Sequence, residues 1–311
     1  MMKLSVIILL LVAVLLLALA AAVVYFFRFT HRRMDKVTDQ MLASDVRLAY
    51  RDLVTRGLAY IDSHEHETVS ITSFDGLALR GIYLPTENAR ATILCFHGYR
   101  AVGLQDFAPM PEFYHSLGLN VLIVDQRACG KSEGKYTTFG ILERHDVLAW
   151  AKYVDQRLPG LPILLDGLSM GSSSVMLAAD LPLPDSVRGI IADCGFTSPW
   201  EIIAHCGKQW FHIPAFPMVH LLSAMAHLHF GGGYRSCSTL TSLSHSSIPL
   251  LLLHGAEDDF VPTYMSEANY KASAAPVKRK LIVPGAGHGM SYLVDQNRCQ
   301  QELRDFVDTV L

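Results

Sequence analysis

Between Ala91 and Val310 short apolar runs alternate with longer stretches of helical periodicity, and this alternation narrows the fold more than any other feature of the chain. The apolar runs occupy residues 91–96, 120–125, 162–166, 187–193, 249–254 and 280–283, and helical patterns lie at 142–158, 172–179 and 300–310. Strand, helix, strand in succession predicts an α/β architecture, a mostly parallel sheet covered by helices on both faces. Ahead of it, residues 69–72 alternate, Asp75-Gly76 signals a turn and residues 77–84 are again strand-like, so an antiparallel N-terminal hairpin opens the sheet. Ligands of such sheets bind at the carboxyl ends of the strands, which directs attention to whatever follows each run.

The N-terminus reads differently. Residues 4–27 carry no charge and are almost entirely Leu, Val, Ile and Ala. A helix needs about 20 such residues to cross a bilayer core. Cleaved signal peptides have a shorter apolar stretch of about 7–15 residues, so residues 1–27 are expected to be an uncleaved transmembrane anchor. Lys3 flanks one end and Arg28, Arg32, Arg33 and Lys36 the other, which places the following domain on the cytoplasmic side by the positive-inside bias. Met34, Val37, Met41 and Leu42 recur at helical spacing among charged residues, so residues 28–66 are expected to include an amphipathic helical connector. The remainder, 67–311, suits one large domain. Within it the segment between Asp193 and Pro249 exceeds an ordinary connection and is expected to form a helical cap insertion over about 197–247, rich in aromatics such as Trp200, Trp210, Phe211 and Phe216.

Composition removes several function classes. The net charge of −3 and the lack of a basic stripe argue against a nucleic-acid partner. Six scattered cysteines with no CxxC pair make neither a disulfide scaffold nor a metal-site spacing. His64-Glu65-His66 stands before a strand and reads as a solvated linker.

Chemistry concentrates after the strands. Gly167-Leu168-Ser169-Met170-Gly171 joins an apolar strand to a helix, the context a G-x-S-x-G nucleophile elbow requires, and makes Ser169 the candidate nucleophile. His97-Gly98-Tyr99 follows the 91–96 run; the backbone N–H groups of Tyr99 and Met170 are the candidate oxyanion hole, because acyl transfer needs donors aimed where negative charge develops. His288 sits in Gly285-Ala286-Gly287-His288-Gly289 after the last strand and would take and return the serine proton. The acid lies among Glu257, Asp258 and Asp259, three neighbours that the local sequence leaves equivalent.

With these motifs in the order serine, acid, histidine, the chain resembles the α/β-hydrolase superfamily, in its branch of serine aminopeptidase-like, monoacylglycerol-lipase-like and membrane-associated depalmitoylase-like proteins. The resemblance runs from about Glu67 to the C-terminus. It implies H-G-x-x-D-x-x-V-P at His254 to Pro262, which selects Asp258 as the acid. The branch also carries D-x-R-G-x-G-x-S-x-G; here Asp125 to Gly134 matches except at Ala128, and this segment is expected to shape the site without performing chemistry. The implied activity is a serine hydrolase acting on an ester or thioester of a small-molecule or lipid-like acyl substrate, with no metal or organic cofactor. An aminopeptidase or amidase, and a membrane-anchored binding protein without turnover, are the alternative readings.

Overall fold

The computed structural model describes residues 2–33 and 50–311. The amphipathic repeat of Met34, Val37, Met41 and Leu42 lies outside the described residues.

Among the described residues eight strands form one sheet in the spatial order β1-β2-β4-β3-β5-β6-β7-β8. They are β1 (Glu67–Thr72), β2 (Ala78–Leu84), β3 (Ala91–Phe96), β4 (Leu119–Asp125), β5 (Ile163–Leu168), β6 (Val187–Asp193), β7 (Leu250–Gly255) and β8 (Lys278–Val283). β1 and β2 pair antiparallel through Thr72 opposite Ala78, β2 is antiparallel to β4, and the strands from β4 to β8 run parallel. The hairpin and the parallel sheet therefore match the sequence reading.

The period of two along each strand divides the core. In β3, Ile93 and Cys95 face a layer containing Phe113, Leu303 and Phe306, whereas Leu94 and Phe96 face a layer containing Trp150, Val175 and Met176. β7 does the same, with Leu251 and Leu253 on the first side and Leu250 and Leu252 on the second. A strand buried on both faces has no polar side to show, which is why these runs are apolar throughout.

The N-terminal helix α1 (Met2–His31) is long and apolar enough to cross a membrane. Its side chains from Leu4 to Leu17 are exposed, as lipid contact requires of an apolar helix. The helix does not stop where the apolar run stops. It continues through Arg28 to His31, and Val23, Phe27 and His31 are buried in a third apolar cluster. That cluster joins the end of α1 to two helices inserted between β6 and β7, named α2 (Pro199–Phe211) and α3 (Met218–Phe230). Phe27 is 1% exposed, and burying a phenyl group of that size is worth about 2 kcal/mol.

Candidate active site

Ser169 stands between β5 and the helix α4 (Met170–Leu177) with φ +55° and ψ −112°. A non-glycine residue held there stores about 1–3 kcal/mol, which the surrounding packing must overcome. The flanking glycines show why the turn keeps its shape. A Cβ on Gly171 would stand 1.8 Å from the Phe96 carbonyl oxygen, and one on Gly167 would stand 2.4 Å from the Gly171 backbone. Their absence lets the elbow press against the end of β3. The residues that follow β3 are thereby brought beside Ser169: a Cβ on Gly98 would lie 3.4 Å from the serine Cβ.

His288 Nε2 accepts from Ser169 Oγ at 2.8 Å, and His288 Nδ1 donates to Asp258 Oδ2 at 2.8 Å. The carboxylate partner thus fixes the tautomer that leaves Nε2 free to accept a proton. The Phe260 ring stacks on the imidazole at 4.6 Å between centroids. Of the three neighbouring acids, Asp258 is buried while Glu257 and Asp259 are exposed. Asp258 Oδ1 also accepts from the N–H groups of Phe260 and Val261, at 2.9 and 2.8 Å. His254 Nε2 approaches Asp258 Oδ2 at 3.2 Å. Burial alone would raise the Asp258 carboxyl, but hydrogen bonds from His254 and His288, the His288 charge and the Val261 N–H outweigh it and hold the group well below the usual carboxylate range.

Met170 opens α4, where a backbone N–H has no intrahelical acceptor, and Tyr99 follows Gly98, the residue that packs beside the serine. Gly98 N–H donates to Asp106 Oδ2 at 2.8 Å, which fixes the turn that carries Tyr99. His97, although it opens the motif, is buried scaffolding: its Nδ1 donates to the Gly98 carbonyl at 2.7 Å and its Nε2 accepts from Gln126 N–H at 2.9 Å.

The 125–134 segment braces this end of the sheet. Asp125 accepts from Gly103 N–H and Lys131 N–H at 2.9 and 2.8 Å, and buried Arg127 pairs with Asp146 at 2.6 Å and Asp75 at 2.9 Å. Ala128, the departure from the branch pattern, takes φ +59°. The left-handed backbone explains the glycine of the pattern, and an alanine there carries about 1 kcal/mol of strain.

A cavity of about 430 Å³ opens over Ser169 and His288, within the range of small-molecule sites. Its walls are largely apolar and include Leu168, Ile203, Trp210, Phe211 and Val219. Trp210 and Phe211 belong to the inserted segment and reach this wall, whereas Trp200 packs with Arg235 at 3.7 Å. Phe26, Phe29 and Thr30 of α1 also line the cavity. Sequence reasoning missed those three and Asp106, because contacts between chain segments so far apart leave no local pattern. Among the described residues Cys194, Asp258 and His288 are spaced as metal donors would be. Burial, with the charges of Asp193 and Asp258, pushes the Cys194 thiol up and keeps it protonated, so this set suits a proton-transfer site better than a metal.

The chain is similar to several known proteins. Residues 91–217 match the family model described as the alpha/beta hydrolase fold. Protein YqkD of Bacillus subtilis is 27% identical over 241 residues, covering 77% of this chain and 78% of the relative. The uncharacterized membrane protein YNL320W of Saccharomyces cerevisiae is 23% identical over 244 residues, covering 78% of each. Among solved structures, an esterase of Pyrococcus furiosus, Pf2001, superposes with a TM-score of 0.66 at 24% identity, covering 90% of this chain and 96% of that one. With its mixed sheet, antiparallel at β1-β2 and parallel from β4 to β8, the chain has the α/β-hydrolase fold.

Proposed function

We propose that this hydrolase is a serine esterase or thioesterase acting on hydrophobic acyl substrates through an acyl-enzyme. The observation that carries the reading is the unbroken series of hydrogen bonds from Ser169 Oγ through His288 to buried Asp258. His288 Nε2 takes the serine proton as Oγ attacks the substrate carbonyl carbon. The carbonyl oxygen becomes an oxyanion that receives the N–H groups of Met170 and Tyr99. Collapse breaks the bond to the leaving alcohol or thiol, which departs with the proton from His288. Water then attacks the acyl-serine, gives its proton to His288, and releases the carboxylic acid and the free serine.

The walls favour an acyl chain over a charged amine. Among the described residues lining the cavity Asp106 is the one acid, and it already accepts the Gly98 N–H. An aminopeptidase would hold its substrate amine against a carboxylate free to do so. The lengthy apolar α1, together with the membrane description of the yeast relative, supports a single-pass membrane location. We place the hydrolase domain on the cytoplasmic side, on the charges of Arg28 and Arg32, which remain exposed beyond the apolar run.

The test is covalent labelling of the full-length protein by a fluorophosphonate, wild type beside Ser169→Ala. An activated serine reacts with this reagent and an ordinary surface serine does not. Labelling of the wild type alone is the expected result. Labelling of neither protein, with no ester turnover, would end the enzymatic reading.

A further inference from the structure

The end of α1 is built into the domain rather than tied to it. Helix C-termini leave their last carbonyl groups without intrahelical partners, and here the domain supplies them. Arg100 donates to the Phe29 carbonyl, Tyr99 Oη to the Thr30 carbonyl at 2.6 Å, and Thr137 N–H to the His31 carbonyl at 2.8 Å. The His31 imidazole bridges the Thr137 carbonyl and Tyr234 Oη, at 2.7 and 2.6 Å. Arg33 donates to the carbonyls of Ser132 and Gly130, at 2.5 and 2.6 Å. A tether whose only task is to hold the protein at a bilayer has no use for so specific a seat.

The seat has a consequence for the site. Phe26 and Phe29 meet Phe211 of α2 at ring-centroid distances of 5.4 and 5.9 Å, and Phe26, Phe29 and Thr30 face the same cavity as Ser169 and His288. We infer that the last turns of the membrane helix form one wall of the substrate cavity, and that the acyl chain of a long-chain ester or thioester lies against Phe26 and Phe29. The inference rests on the acyl-hydrolase reading above and deepens it: the anchor sets which chain lengths the enzyme prefers. An apolar chain leaving a bilayer along α1 meets no charged side chain of that helix before it reaches Phe26, since residues 4–27 carry no charge.

The experiment uses the full chain in phospholipid nanodiscs. Phe26→Ala/Phe29→Ala and wild type are assayed against p-nitrophenyl esters from acetyl to dodecanoyl. The quantity read is the ratio of kcat/KM for dodecanoyl to that for acetyl. We expect the double variant to lower this ratio about tenfold, because even a single methylene in an apolar pocket is worth about 10-fold or more. Thr30→Trp adds bulk to the same wall instead of removing it, and moves the preferred substrate to a shorter chain. This second variant covers the case in which the alanine pair unfolds the helix seat. Saturable binding of tritiated dodecanoate to Ser169→Ala, above the level of empty nanodiscs, gives a readout that needs no turnover. The Phe pair is expected to weaken it about tenfold. Ratios and binding within twofold of wild type for all variants would overturn the inference and leave the hydrolase reading standing. Weakened binding by the Phe pair, with no esterase turnover by the wild-type protein, would overturn the hydrolase reading alone.

Discussion

Tyr99 Oη donates a hydrogen bond to the carbonyl oxygen of Thr30 at 2.6 Å, so one residue ties the last turn of the apolar helix α1 to the loop that follows β3. Its backbone N–H belongs to the candidate oxyanion hole, and its phenol belongs to the seat of α1. The two parts of the molecule are therefore mechanically joined at the site.

Removing only that phenol should loosen the joint. Tyr99→Phe keeps the ring and the backbone but leaves the Thr30 carbonyl without this donor. The cost expected is about 1 kcal/mol, more if the carbonyl stays dry. Thermal unfolding of the full-length protein in detergent checks it, and an unchanged midpoint would mean that water replaces the phenol.

The elbow glycines tolerate no side chain. Gly171→Ala places a methyl group 1.8 Å from the Phe96 carbonyl oxygen, a backbone atom that cannot swing aside. We expect a loss of more than about 3 kcal/mol in stability and no fluorophosphonate labelling. A variant with wild-type unfolding and labelling would show that β3 and the elbow can separate.

The three acids should separate cleanly in kinetics. Asp258→Asn retains a hydrogen-bond acceptor but removes the charge that orients His288, and a fall in kcat of about 10⁴-fold is expected. Glu257→Gln and Asp259→Asn alter exposed side chains away from the imidazole and should change kcat less than about threefold. Comparable losses in all three variants would remove Asp258 from its assigned role.

One buried carboxylate makes stability depend on pH. Burial pushes the Asp166 carboxyl up to about 7; the Tyr114 hydrogen bond opposes this and the charge of Asp193 adds to it. The folded chain thus holds a proton there that the unfolded chain releases near 3.8, so stability falls as pH rises from about 4 to about 7 and stays lowered above. Asp166→Asn keeps the acceptor for Tyr114 Oη without the charge. It should stabilise the protein by about 2 kcal/mol at pH 8, and the gain should shrink toward pH 4. Denaturant midpoints at pH 5 and pH 8 measure it; a loss at both values would show that the ionised carboxylate is needed for packing.

Much of the fold was legible because its signals are local. The strand β3 falls on Ala91–Phe96 and β6 on Val187–Asp193, where the apolar runs lie, since doubly buried strands must be apolar along their whole length. The helix α4 begins at Met170, two residues before the helical pattern begins in the sequence, because the elbow turns straight from Ser169 into the helix. The choice among Glu257, Asp258 and Asp259 was not local. It followed from a family pattern, and in the structure it corresponds to which of three adjacent side chains turns inward to meet His288.

By itself the sequence determined the parallel sheet, the hairpin ahead of it, the serine at a strand-to-helix elbow and an apolar helix of membrane length. Each of these is written in the spacing and type of neighbouring residues, which is where backbone geometry and desolvation act. Only the tertiary structure decided that α1 runs on past its apolar stretch, that its Phe26 and Phe29 face the cavity above Ser169, and that Tyr99 holds the Thr30 carbonyl. Those contacts join segments far apart in the chain, 69 residues in the case of Tyr99 and Thr30. Nothing in either segment alone requires the other; they meet because an apolar helix end and an uncovered apolar cavity both lose water when they pack together.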